Sequence, residues 1–154
     1  MASARHGEVQ VHVDAPPDAV WSLVADLDRM GEWSPECYRV EWLDGATAAV
    51  VGARFRGYNR IGPIKWSTVC VITKAEPGRE LAFSVVNGHG REETQWRYVL
   101  ENDGATTRLV ESYEFKWCPV LNRIAEIPFP RDRQLRRGIA ETLARIKTAA
   151  ESAG

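Results

Sequence analysis

Residues 133–150 read RQLRRGIAETLARIKTAA, and their spacing decides the fold. Leu135, Ile139, Leu143, Ile146 and Ala150 step by 4, 4, 3 and 4 positions, the return interval of one face of an α-helix. Arg133, Arg136, Arg137, Glu141 and Arg145 fall largely off that stripe. The spacing predicts an amphipathic helix of about five turns. Such a helix needs a broad apolar surface to lie on, and the upstream chain must supply it.

The upstream chain is strand-rich. Glu8-Val9-Gln10-Val11-His12-Val13 alternates polar and apolar, the period-2 pattern of a half-buried strand. Asp14-Ala15-Pro16-Pro17 stops it, and Val20, Leu23, Val24 and Leu27 follow at helical spacing beside Trp21. Gly31 and Pro35 end that short helical region. From Cys37 to Trp117 the chain reads as about six strands. They are separated by Asp44-Gly45, Gly62-Pro63, Glu76-Pro77-Gly78, Asn87-Gly88-His89-Gly90 and Asn102-Asp103-Gly104. Connections this short join antiparallel neighbours. The segment 119–130, with Pro128 and Pro130, reads as a loop with a helical turn.

Parity sorts the strand faces. Phe55, Gly57, Asn59 and Ile61 share a face opposite Arg54, Arg56, Tyr58 and Arg60. Leu81, Phe83 and Val85 share another, as do Trp96, Tyr98 and Leu100. Leu109, Glu111, Tyr113, Phe115 and Trp117 form a fourth. Residues 65–73 are apolar on both sides, and parity leaves their inward face open. The predicted architecture is α+β: about seven antiparallel strands in a curved sheet around one long C-terminal helix, with two short helices after the first strand. Sheet and helix close imperfectly on one another, and the gap between them is a candidate pocket.

Composition narrows the function classes. The 154 residues, 44% hydrophobic and 27% charged, fit a single domain over residues 1–154. With 20 basic against 21 acidic side chains, net charge −1, the chain lacks the positive excess of a nucleic-acid binder. No apolar run reaches transmembrane length, and residues 1–13 lack a secretory pattern. Cys37, Cys70 and Cys118 form no CxxC pair, and His6, His12 and His89 have no ligand spacing. The expectation is a cytoplasmic monomer or homodimer with cysteines in the core, without metal or cofactor. There is no GxSxG elbow, phosphate loop or dinucleotide fingerprint.

Six segments also carry a resemblance. They are Ala15-Pro16-Pro17-Asp18-Ala19-Val20-Trp21, Asp26-Leu27, Trp33-Ser34-Pro35-Glu36, Val51-Gly52-Ala53-Arg54-Phe55, Glu76-Pro77-Gly78-Arg79 and Thr142-Leu143-Ala144-Arg145-Ile146-Lys147. In order and spacing, from about residue 8 to residue 150, they resemble polyketide cyclase/dehydrase-like proteins. These belong to the START (birch-pollen-allergen, SRPBCC) helix-grip superfamily. The resemblance implies a deep apolar pocket under the last helix. Its members bind lipids, steroids, plant hormones, polyketides or quinones, some cyclise polyketide chains, and some bind partner proteins. Fold alone does not choose among these.

The chain's own residues supply candidates. Glu111 sits on an inward face between Leu109 and Tyr113, where an ionised carboxylate is costly without a partner. Such a group can act as general acid or base with Tyr113, or anchor a ligand hydroxyl. A position near the strand end, or pairing with an arginine, is the alternative. Asn59, beside the space left by Gly57, can orient a polar ligand end or bond a neighbouring backbone. Trp33, Trp66, Trp96, Tyr98, Tyr113 and Phe129, with Phe55 and Phe83, are candidates to line a pocket for an apolar ligand, against plain core packing. Trp21 and Trp42 read as core. Arg131, Arg133, Arg136 and Arg137 open the last helix and read as a solvated face. The expected function is binding of an apolar small molecule. The alternatives are a polyketide aromatase/cyclase or dehydratase and, more weakly, an interaction domain using an edge or Trp117-Cys118-Pro119.

Overall fold

The structure, a computed structural model, describes residues 6–116 and 131–153. Strand β1 (His6–Val13) leads into helix α1 (Pro17–Val24), a 3₁₀ turn (Leu27–Arg29) and helix α2 (Met30–Trp33). Six further strands follow: β2 (Cys37–Trp42), β3 (Arg54–Ile61), β4 (Ile64–Glu76), β5 (Glu80–Val86), β6 (Glu92–Asp103) and β7 (Thr106–Phe115). The closing helix, α3, spans Arg131–Ala153. Phe129 and the Trp117-Cys118-Pro119 stretch lie outside the described residues.

The seven strands form one antiparallel sheet in the order β1-β7-β6-β5-β4-β3-β2. The meander expected from the turn chemistry is present, with β1 added beside β7. The helix-grip architecture is therefore the one observed. The stripe of α3 is its buried face: Leu135, Ile139, Leu143, Ile146 and Ala150 are each at most 5% exposed.

Register settles the strand whose faces parity left open. Phe55 pairs with Cys70 and Gly57 with Thr68, so the inward face of β4 carries Thr68, Cys70 and Ile72. Cys70 and Ile72 are buried, while Val69 and Val71 stay half-buried on the other side. A register shift between Ile72 and Lys74 follows, the local kink expected of a bulge in a curling sheet.

The helix does not cover the sheet evenly. It packs most closely on β1, with lighter contacts to β7 and to α1 and α2. Long side chains stitch it there to backbone groups. Lys147 Nζ donates to the His12 carbonyl at 2.7 Å, Glu151 accepts from the Asp14 N–H at 2.8 Å, and Arg145 donates to the Trp33 carbonyl at 3.2 Å. Over β3 to β6 the helix stands farther off: the inward side chains there are buried in one core with its apolar stripe, but part of that face borders a cavity.

Helix α2 fits on β2 through Gly31. A Cβ at that position would lie 2.5 Å from the Tyr38 carbonyl oxygen, and backbone cannot step aside as a side chain can. Gly31→Ala is expected to lower stability by about 1–3 kcal/mol, read as a reduced urea midpoint with an unchanged slope. A midpoint equal to wild type would show that α2 is free to shift.

Candidate functional site

Where α3 leaves the sheet there is a cavity of about 100 Å³. Its floor is built strand by strand: Phe55, Gly57 and Asn59 from β3, Thr68 and Cys70 from β4, Phe83 and Val85 from β5, Trp96 and Tyr98 from β6, and Glu111 from β7. Leu135, Gly138, Ile139 and Thr142 of α3 form the roof. Met30 of α2 and the connecting residues 34–36, with Cys37, close one side.

Local sequence explains the space. Gly57 is flanked by Cys37 on β2 and Thr68 on β4, whose Sγ and Oγ1 would each lie 3.6 Å from a Cβ built there. A side chain at 57 would contact both and fill the gap. Phe55 and Phe83 stack edge-on at 5.2 Å, and Trp42 meets Phe55 edge-on at 5.8 Å. These rings fix one wall by packing.

Glu111 is the polar centre. It lies in the middle of β7, 4% exposed, directly opposite Tyr98 in the β6–β7 register. The Tyr98 phenol donates a hydrogen bond to its carboxyl, and Oε1 has no partner among the described residues. Glu111 is not at the strand end, and no arginine pairs with it among the described residues. Burial pushes the Glu111 carboxyl up to about 8, with the Tyr98 bond pulling in the opposite direction. Burial, with the neighbouring Glu111 charge, also raises the Tyr98 phenol well above its usual range. At neutral pH Glu111 is mostly protonated, and its O–H is a donor.

The two thiols at the cavity are neutral. Burial pushes Cys37 up to about 11 and Cys70 to about 12, so neither offers a thiolate. Among the described residues no group of three or more histidine, cysteine or acidic side chains is placed to hold a metal.

Of the residues singled out from sequence, Phe55, Asn59, Phe83, Trp96, Tyr98 and Glu111 surround the cavity. Asn59 donates weakly to the Gly57 carbonyl, at 3.4 Å. Three do not line it. Tyr113 lies one pleat beyond Glu111, its ring over Gly7 of β1 and beside Trp96 and Phe115 at 5.6 and 5.4 Å. It belongs to the packed side of the sheet, and Tyr98 is the phenol that meets Glu111. Trp33 is buried in the core cluster, with Arg29 4.9 Å over its ring. Trp66 lies opposite Asn59 and is half-buried, outside the cavity lining. Gly57, Thr68 and the cysteines escaped the sequence reading as cavity residues because small or mildly polar side chains give no apolar signal. Only the glycine beside Asn59 hinted at space.

A family model described as polyketide cyclase / dehydrase and lipid transport matches residues 4–151. The chain belongs to that family. A Polyketide_cyc-like protein from Corynebacterium glutamicum is 34% identical, over 95% of this chain and 91% of its own, with a TM-score of 0.63. A protein from Thermus thermophilus matches at TM-score 0.73 and 15% identity, covering 97% and 99% of the two chains. The di-domain ARO/CYC BexL of the BE-7585A biosynthetic pathway matches at TM-score 0.67 and 20% identity. That match covers 94% of this chain but 45% of BexL, so the chain spans under half of it. At these last two identities the likeness is one of fold. No curated protein matches the chain. No helix among the described residues is long and apolar enough to cross a membrane.

The raised carboxyl has a direct consequence for stability. Unfolded, Glu111 ionises near its usual 4.5; folded, it holds its proton to about 8. Between those values the native state binds more protons than the unfolded one, so stability falls as pH rises through the window. The fall is on the order of a few kcal/mol and levels off above pH 8. Urea midpoints from pH 5 to 9 should decline in wild type and lose most of that slope in Glu111→Gln. Equal slopes in the two proteins would refute the assignment.

Proposed function

We propose that this chain binds an apolar small molecule in the cavity between sheet and α3. The observation that carries the reading is the gap itself. Natural cores are close-packed, yet this one keeps about 100 Å³ open at Gly57 and sets a buried, half-satisfied carboxyl beside it. Empty space and an unpaired oxygen both reduce stability, and a ligand relieves both. The volume suits a single ring or a narrow chain, since drug-sized pockets start at about 300 Å³ and a cavity of about 150 Å³ holds benzene. Membership of a cyclase/dehydrase and lipid transport family agrees with this class of ligand.

A second reading is an enzyme of the polyketide aromatase/cyclase or dehydratase kind. What favours it is the carboxyl of Glu111, which titrates near neutrality beside Tyr98, as general acid–base work requires. The ARO/CYC name of one structural relative points the same way. In this reading Glu111 would move the proton, Tyr98 would hold it in place, and Asn59 would orient the chain. Glu111→Gln would then abolish turnover of a genuine substrate while leaving its binding intact.

The direct test of the first reading is native mass spectrometry of the purified protein, with extraction of whatever is released. An apolar molecule leaving with the wild-type chain is expected, and Gly57→Val should lose it while keeping its circular dichroism. Gly57→Ala should gain stability by about 0.4–1 kcal/mol through lost chain entropy, and bind more weakly. A protein that comes away empty and whose melting point ignores lipids, polyketides and quinones would overturn the reading.

A further inference from the structure

The walls of the cavity differ in chemistry. Phe55, Phe83, Val85, Trp96, Leu135 and Ile139 are apolar, and among the polar lining is the buried Tyr98–Glu111 pair. Within that pair one carboxyl oxygen is engaged by the phenol and the other, Oε1, is buried without a partner among the described residues. A buried polar atom left unpaired is destabilising by more than a typical hydrogen bond contributes, so whatever enters the cavity is selected by how it treats Oε1.

We propose that the cavity selects a neutral molecule bearing a carbonyl-type oxygen, which accepts a hydrogen bond from the Glu111 carboxyl at its unpaired Oε1. This rests on the small-molecule reading above and names the ligand's polar end. A hydrocarbon of the same shape fits the walls but leaves Oε1 unpaired. An anion is worse placed, because none of the described lining residues is lysine, arginine or histidine, and Glu36 and Glu111 are both acids. An ammonium head brings three N–H groups to one unpaired oxygen. A carbonyl oxygen needs a single donor, and the Glu111 carboxyl supplies one at its unpaired oxygen.

Recognition of this kind holds only while Glu111 keeps its proton. The titratable groups around it are Tyr98 on β6, Tyr113 on its own strand, Cys37 on β2, Cys70 on β4 and Glu36 at the side of the cavity. The cavity faces of α3, β3 and β5 add Leu135, Gly138, Ile139 and Thr142, Phe55, Gly57 and Asn59, and Phe83 and Val85, none of them charged. Val9, its partner on β1, is apolar. No described cation faces the carboxyl and would favour its early ionisation.

Four probes of one size separate the possibilities by calorimetry: cyclohexanone, methylenecyclohexane, cyclohexanecarboxylate and cyclohexylamine. At pH 6 the ketone should bind about tenfold more tightly than the alkene of the same shape. Its advantage should shrink about tenfold between pH 6 and pH 9, as a carboxyl titrating at about 8 loses its proton. Glu111→Gln keeps a neutral donor at every pH and should hold the preference at both values. Glu111→Leu should bring the ketone down to the level of the alkene. Equal binding of ketone and alkene by wild type would overturn this inference and leave the cavity reading standing, and so would a preference for the carboxylate or the amine. Binding of none of the four would overturn the cavity reading, and this inference with it.

Discussion

The structure depends on one constraint: a single helix must cover a sheet wider than itself. The apolar stripe of α3 is one side chain wide at each turn, and the inward face of seven strands is several times broader. Curvature reduces the mismatch without removing it. The helix settles on β1, with lighter contact to β7, where Lys147, Glu151 and Arg145 tie it to backbone carbonyls and an N–H. The strands farther along the sheet then meet the helix through side chains alone, and these do not fill all the space between. The cavity is what remains when that geometry meets a glycine at position 57, rather than a feature carved separately.

Within this frame the polar groups fall into two kinds. The outer face carries ordinary ion pairs, such as Arg97 with Glu80 and Arg108 with Glu101, both at hydrogen-bond distance and exposed on at least one side. Pairs of this type contribute little. The inner face carries Glu111, whose energetics are of another order because water is excluded. A carboxyl kept neutral by its surroundings is a donor with a fixed direction. Its cross-strand partner, a phenol, holds one of its oxygens and leaves the other without a partner among the described residues. Packing thereby becomes chemical selectivity.

Much of this was legible in the sequence. Alternation gave β1, the turn dipeptides separated the remaining strands, and the 4-4-3-4 stepping gave α3 with its buried face. Parity alone turned Glu111 inward, and it turned Tyr98, Trp96, Phe83 and Phe55 the same way. What was not legible has physical reasons. Residues 65–73 are apolar on both faces, so only pairing with β3 fixed their direction. Parity assigns a face but not a position under the helix. Tyr113 shares its face with Glu111 yet lies over Gly7, and Trp66 shares its face with Asn59 yet stays outside the cavity lining. Trp33 is set by the tilt of a one-turn helix, which no periodicity can report. Gly57, Thr68, Cys37 and Cys70 define empty volume, and a sequence records side chains rather than the room between them.

The β6–β7 pairing has a bearing on how the molecule is assembled. Tyr98 and Glu111 face each other across consecutive strands joined at Asp103 and Thr106, so the polar end of the cavity belongs to a hairpin and needs little chain closure to form. The roof comes from the far end of the chain, and the bond from Lys147 to the His12 carbonyl spans 135 positions. Contacts of such separation are the slowest to be made. Before they form, the carboxyl of the hairpin is open to water and ionises as any surface acid does. Docking of the last helix therefore takes up a proton as well as burying a surface, so closure of the roof and protonation of the site are two sides of one equilibrium.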